Sequence, residues 1–102
     1  MEIRARDNER ELLLELSGEI DHHGARNALK DVEMAIDAAL PRLLILDFSG
    51  VTFMDSSGIG VIIGRCKNLG YSGGDVSACH LNERVDKIFT VSGLKKIIQV
   101  KE

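Results

Sequence analysis

Residues Val51 to Gly70 read VTFMDSSGIGVIIGRCKNLG, a chain that leaves a strand and enters a helix while placing Gly58, Gly60 and Gly64 where helical side chains belong. A glycine in a helix interior costs about 1 kcal/mol relative to alanine, so roughly 3 kcal/mol of propensity is given up here. On a helical wheel for residues 56 to 69, Ile59, Ile62, Ile63, Cys66 and Leu69 form one arc, which is predicted to face a sheet. The opposite arc collects Ser57, Gly60, Val61, Gly64 and Asn68. A smooth exposed strip with one apolar residue in it fits close approach by the backbone or helix of another protein.

Asp55, Ser56 and Ser57 stand where this helix begins. Their side-chain oxygens suit the free N–H groups of a first helical turn, but one cap uses only one of them. The remaining hydroxyls are candidates for phosphorylation. A phosphate there meets unsatisfied N–H groups and the positive end of the helix dipole, so the fold can carry the added charge. A partner docked over the bare strip is affected differently, because a phosphate without cationic neighbours is costly to bury.

Working outward, EIRAR (2–6) and ELLLELS (11–17) are predicted as two strands joined by a polar turn, an opening β-hairpin. The sequence from Gly18 to Leu40 then takes helical period, with Ala25, Leu29, Val32, Ile36 and Leu40 on one stripe. Asp21 is its expected N-cap and Pro41 ends it. RLLILDF (42–48) is an unbroken apolar run, expected as a central strand covered by helices on both faces. After the glycine-bearing helix come a glycine-rich turn (Gly70, Gly73, Gly74), a short strand DVSACH and a helix NERVDKIFTVSG. Asn82 and Gly93 suit the ends of that helix, and a terminal apolar piece LKKIIQV follows. The pattern is a single α/β domain over residues 1–102, a small sandwich of a mixed four- to five-stranded sheet with three to four helices.

Composition narrows the function. The formal charge is -3 with no basic patch, which argues against nucleic acid. No apolar run reaches the ~18 residues of a membrane span and no secretory signal opens the chain, so a cytoplasmic protein is expected. Cys66 and Cys79 fall among apolar neighbours and are read as buried thiols rather than a redox pair or metal site.

Other chemistries compete for the same residues. The glycines spell GxGxxxG, off by one from the dinucleotide fingerprint, and the next strand ends in His80 rather than an acid. A hydrolase assembled from Ser56 or Ser57, one of His22, His23 and His80, and a carboxylate lacks the GxSxG context. His22 and His23 are adjacent on a helix and point about 100° apart, a poor start for one metal ion. Asp47, at the end of the predicted central strand, offers the alternative from another class, a receiver-like phospho-acceptor. The chain lacks the paired acids that reading needs after its first strand.

The segments SGEIDHHGA, LDFSGVTFMDSSGIGVIIG and VDKIFTVSGLKKII resemble the anti-sigma factor antagonists, free-standing STAS domains, over nearly the whole chain. Among these the sporulation antagonists of the sigma F pathway are most similar, with the general stress antagonists next. The resemblance implies the STAS fold, no catalytic residues, no metal and no cofactor of its own. It implies two partners: an anti-sigma factor that is also a serine kinase with bound ATP or ADP, and a PP2C-type phosphatase. The free protein is expected to be a monomer. The serine after the motif aspartate, Ser56, is the implied phosphorylation site, and the implied partner surface comprises Asp21, His22, His23, Asp55, Ser56, Ser57, Gly58, Gly60, Val61 and Gly64.

Overall fold

A computed structural model describes residues 1–66 and 75–101. The expected turn at Gly70, Gly73 and Gly74, and the wheel positions Asn68 and Leu69, lie outside the described residues. The elements run β1 (Glu2–Asn8), β2 (Glu11–Ile20), α1 (His22–Ala39), β3 (Leu43–Met54), α2 (Ser56–Cys66), β4 (Asp75–Cys79), α3 (Glu83–Val91), a 3-10 turn (Leu94–Lys96) and β5 (Gln99–Lys101). Five strands form one sheet in the order β1-β2-β3-β4-β5, antiparallel at the hairpin and parallel thereafter.

The hairpin strands are longer than their hydrophobic pattern indicated, because only Glu9 and Arg10 turn the chain. Both take positive φ, 47° and 70°, the left-handed pair that matches the twist of a two-residue hairpin loop. In α1 the buried stripe is Ala25, Ala28 and Val32. Leu40, expected on that stripe, is the left-handed C-cap and is 76% exposed, because the chain must turn out of the helix before Pro41. Asn82 caps α3 through Val85 N–H at 2.9 Å, and Gly93, at φ 77°, carries the chain away after Ser92. The C-terminal apolar piece divides into the 3-10 turn and the edge strand β5.

From β2 onward the strand order advances in one direction. Right-handed crossovers then put all three connecting helices on one face of the sheet. That face carries Leu12, Leu14 and Leu16 of β2 and Leu44, Leu46 and Phe48 of β3, all buried with Val32, Ile59, Ile62, Ile63, Cys66, Val85 and Phe89 from the helices. Phe48 and Phe89 meet edge to face at 5.3 Å and 81°, a geometry worth about 1 kcal/mol beyond the buried area.

Strand β3 is central, as expected, but its helical cover among the described residues is on this one face. Leu13, Leu43 and Ile45 alternate to the other face, where they are only half-buried and stand apart from the core cluster. The unbroken apolar run therefore reflects a strand flanked by strands on both edges, not one roofed by helices on both faces.

Candidate functional site

Two strand-to-helix junctions lie side by side and carry the same four-residue device. At β2–α1 the sequence is Asp21-His22-His23-Gly24, and at β3–α2 it is Asp55-Ser56-Ser57-Gly58. In each, the aspartate Oδ1 accepts the N–H of the glycine three residues on, at 2.6 Å. The aspartates thus satisfy a free N–H of each first turn and leave the two intervening residues exposed at the helix start.

The junctions are locked together. The N–H of Asp55 donates to the carbonyl of Ile20 at 3.3 Å. A Cβ on Gly58 would lie 2.1 Å from that same carbonyl oxygen and 2.6 Å from the carbonyl carbon of Asp21. Gly58, one of the residues in the implied partner surface, is therefore buried for close backbone packing. Gly60 and Gly64 behave otherwise: both are exposed, and a Cβ on either would meet nothing within 4 Å. Between them Val61 is half-buried against the core. Glycine thus has two roles in one helix, clearance inside at Gly58 and a bare outer strip at Gly60 and Gly64.

His22 Nδ1 lies 3.0 Å from Ser57 Oγ, joining the start of α1 to the start of α2. His23 turns instead to Asn27, with Nε2 and Nδ2 3.2 Å apart. Ser56 Oγ has no hydrogen-bond partner among the described residues and projects into solvent. Farther along, Arg65 Nε and Glu33 Oε1 pair at 2.9 Å across α2 and α1, an exposed link worth at most about 1 kcal/mol.

The hydrolase arrangement does not assemble. Among the described residues only His22 reaches a serine, and no carboxylate hydrogen-bonds its other ring nitrogen to orient it. His80 belongs elsewhere, with Nδ1 3.1 Å from Asp47 Oδ1. Asp47 also fails as a strand-end phospho-acceptor, since β3 continues to Met54 and the residue is only 8% exposed within the sheet. Burial alone would raise its pKa, but hydrogen bonds from the N–H and hydroxyl of Ser49, together with His80, hold it below the ordinary value. The cysteines differ as well. Cys66 is fully buried, and burial pushes its thiol up to about 12, whereas Cys79 is half-buried on the opposite face of the sheet beside Asp47 and His80.

Sequence reasoning missed Phe53, an aromatic side chain 38% exposed just before the Asp55 junction. Its signal lies in the end of β3, where Val51 and Met54 are buried and Thr52 and Phe53 are left outside.

Residues 2–102 match the STAS domain family. The chain belongs to that family. This STAS domain is 37% identical to an anti-sigma F factor antagonist of Paenibacillus polymyxa over 89 residues, 87% of the chain and 76% of the relative. It is 34% identical to the anti-sigma-B factor antagonist of Bacillus subtilis over 101 residues, 96% of the chain and 88% of the relative. Among solved structures it resembles the anti-sigma factor antagonist SpoIIAA in its unphosphorylated form, with TM-score 0.79 and 27% identity over 99% of this chain and 89% of that one. The phosphorylated form of the Bacillus protein SpoIIAA gives TM-score 0.71 and 26% identity over 99% and 92%. No helix among the described residues is long and apolar enough to cross a membrane.

Proposed function

We propose that this STAS domain is a cytoplasmic anti-sigma factor antagonist switched by phosphorylation of Ser56. In the unphosphorylated state it binds an anti-sigma factor that is also a serine kinase holding ATP or ADP, and the sigma factor is released. The kinase then transfers a phosphoryl group to Ser56, which ends binding, and a PP2C-type phosphatase restores the hydroxyl. The domain is a ligand and substrate in this cycle and catalyses nothing itself.

The observation that carries the reading is the start of α2. Asp55 supplies the cap at 2.6 Å and His22 engages Ser57, which leaves the hydroxyl of Ser56 exposed over the positive end of a helix whose outer strip is Gly60 and Gly64. A phosphate there is tolerated by the fold and obstructs a partner seated on the strip. Relatives that are anti-sigma factor antagonists, one of them solved in both phosphorylation states, support the same reading. The partner surface proposed on this basis comprises Asp21, His22, His23, Asp55, Ser56, Ser57, Gly60, Val61 and Gly64, with Phe53 added. The free domain is proposed to be a monomer.

The test is intact-mass spectrometry with site mapping after incubation with ATP and the candidate serine kinase of the same genome. One addition of roughly 80 Da, the mass of a phosphoryl group, is expected on Ser56 and is lost in Ser56→Ala. No addition, or one on Asp47, overturns the reading. The 34% identity to an anti-sigma-B antagonist over nearly the whole chain keeps a general-stress role as the second reading beside sporulation. Measuring which purified anti-sigma factor the domain binds separates the two.

A further inference from the structure

On the face of the sheet that no described helix covers, the register sets one residue from each strand in a single row: Arg4, Glu15, Asp47, Cys79 and Lys101. Asp47 and Cys79 are direct partners on adjacent parallel strands, so their side chains project together. His80 follows Cys79 and in a continuing strand would point to the opposite face. It instead takes φ 57°, in the left-handed region uncommon for non-glycine residues, and its ring returns over the row. His80 Nδ1 thereby comes to 3.6 Å from Cys79 Sγ and 3.1 Å from Asp47 Oδ1, and one ligand atom from each of the three residues lies within 4.8 Å of the other two.

We propose that Asp47, Cys79 and His80 form a zinc-binding site, with a carboxylate oxygen, Sγ and Nδ1 as the three protein ligands. A tetrahedral zinc with Zn–S of about 2.3 Å and Zn–N and Zn–O of about 2.0 Å has an S···N edge of about 3.5 Å and an N···O edge of about 3.3 Å. The observed 3.6 and 3.1 Å match those edges within a few tenths of an ångström. A proton on Nδ1 is at best divided between the carboxylate and the sulfur in a three-centre bond, whereas a cation at the centre of the triangle is shared by all three.

The surroundings fit a metal. Asp47 Oδ1 accepts the N–H of Ser49 at 2.9 Å, an outer-shell bond of the kind that orients a carboxylate ligand. A carboxylate, a thiolate and a neutral imidazole offset the charge of Zn2+, and the thiol releases one proton to solvent as it binds. Of the flanking charges, Glu15 is engaged by Arg6 at 2.7 Å, and Lys101, beside Cys79, is the cation with which zinc competes. Three protein ligands leave the fourth position open to water or to a group on a partner.

The test titrates untagged, chelator-stripped protein with Co2+ and follows the near-ultraviolet thiolate-to-cobalt band, then measures zinc affinity by competition with a chromophoric chelator. One equivalent is expected to bind, with affinity falling at least about 100-fold in Cys79→Ser and in His80→Asn. Asparagine is chosen because it accepts the left-handed backbone. His22→Ala and His23→Ala are expected to bind as the unaltered protein does. Protection of Cys79 from alkylation by stoichiometric zinc in the unaltered chain needs no variant and decides the matter if either substitution unfolds the domain. Absence of the cobalt–thiolate band, or zinc binding unchanged by Cys79→Ser, overturns the site and leaves an Asp47–His80 hydrogen bond that only closes the end of β4.

Discussion

The imidazole of His22 meets the hydroxyl of Ser57 at 3.0 Å, across 35 residues of sequence, and so couples the first turns of two neighbouring helices. An exposed hydrogen bond of this kind is worth about 0.5–1.5 kcal/mol at most. Its consequence is chemical more than energetic, because it distinguishes two adjacent serines that the sequence presents as equivalent. We predict that His22→Ala leaves the denaturation midpoint nearly unchanged but lets a kinase modify Ser57 as well as Ser56. Site mapping of the phosphorylated variant checks this, and strict retention on Ser56 would show that the kinase, not His22, makes the choice.

Replacing Ser56 is expected to separate binding from switching. Ser56→Ala is expected to bind the anti-sigma factor with unaltered affinity and to resist inactivation. Ser56→Asp places a charge under the docked partner, and a penalty of about 3–4 kcal/mol weakens binding several hundredfold. Calorimetric titration of both variants against the same partner is the check, and equal affinities contradict the switch.

The glycines of α2 are predicted to respond in opposite directions. Gly58→Ala drives a Cβ to 2.1 Å from the Ile20 carbonyl, backbone that has no flexible end to swing away, and should cost about 2 kcal/mol or more. Gly60→Ala and Gly64→Ala meet open space and gain helix propensity, up to about 1 kcal/mol each, a rise in melting temperature of about 4 °C. Gly64→Leu should likewise fold and yet block docking. Thermal melts with a binding assay test all four, and an unfolded Gly64→Leu would mean that the strip is covered.

The paired caps give a matched comparison. Asp21→Ala and Asp55→Ala each remove the 2.6 Å acceptor of a first-turn N–H and are expected to cost about 1 kcal/mol, while asparagine at either position restores most of it. Urea denaturation of the two series reads the difference.

Asp47 is predicted to set part of the acid limit of stability. Its folded-state pKa is depressed by the N–H and hydroxyl of Ser49 and by His80, against the opposing effect of burial. The resulting stabilisation is fully present above the unfolded carboxyl value of about 3.9 and is lost as pH falls through the lower, folded value. In chelator-containing buffer, Asp47→Asn should therefore flatten the fall in stability below about pH 4. An unchanged acid limb would assign that fall to other carboxylates.

Much of this architecture was legible in the chain because it follows from local chemistry. Alternation in β2, the helical periods of α1 and α2, the caps at Asp21 and Asn82, and the outer position of Gly60 and Gly64 are each fixed by residues a few places apart. Leu40 escaped the reading because helical period continues through a residue that the following proline forces into a left-handed cap. Gly58 escaped it because what it makes room for is the backbone of Ile20, 38 residues earlier in the sequence.

The sequence by itself determined the order of strands and helices, the two capped junctions and the exposed serine, since spacing and side-chain chemistry act within one or two turns. Only the tertiary structure decided that the two junctions touch, that His22 takes Ser57 and spares Ser56, and that the described helices all pack on one sheet face. It alone brought Asp47, Cys79 and His80 together, because strand register and a single left-handed residue place side chains that are 32 and 33 positions apart within reach of one another. The physical reason is that hydrogen-bonded register and close packing act between segments, and no local pattern records which segments will meet.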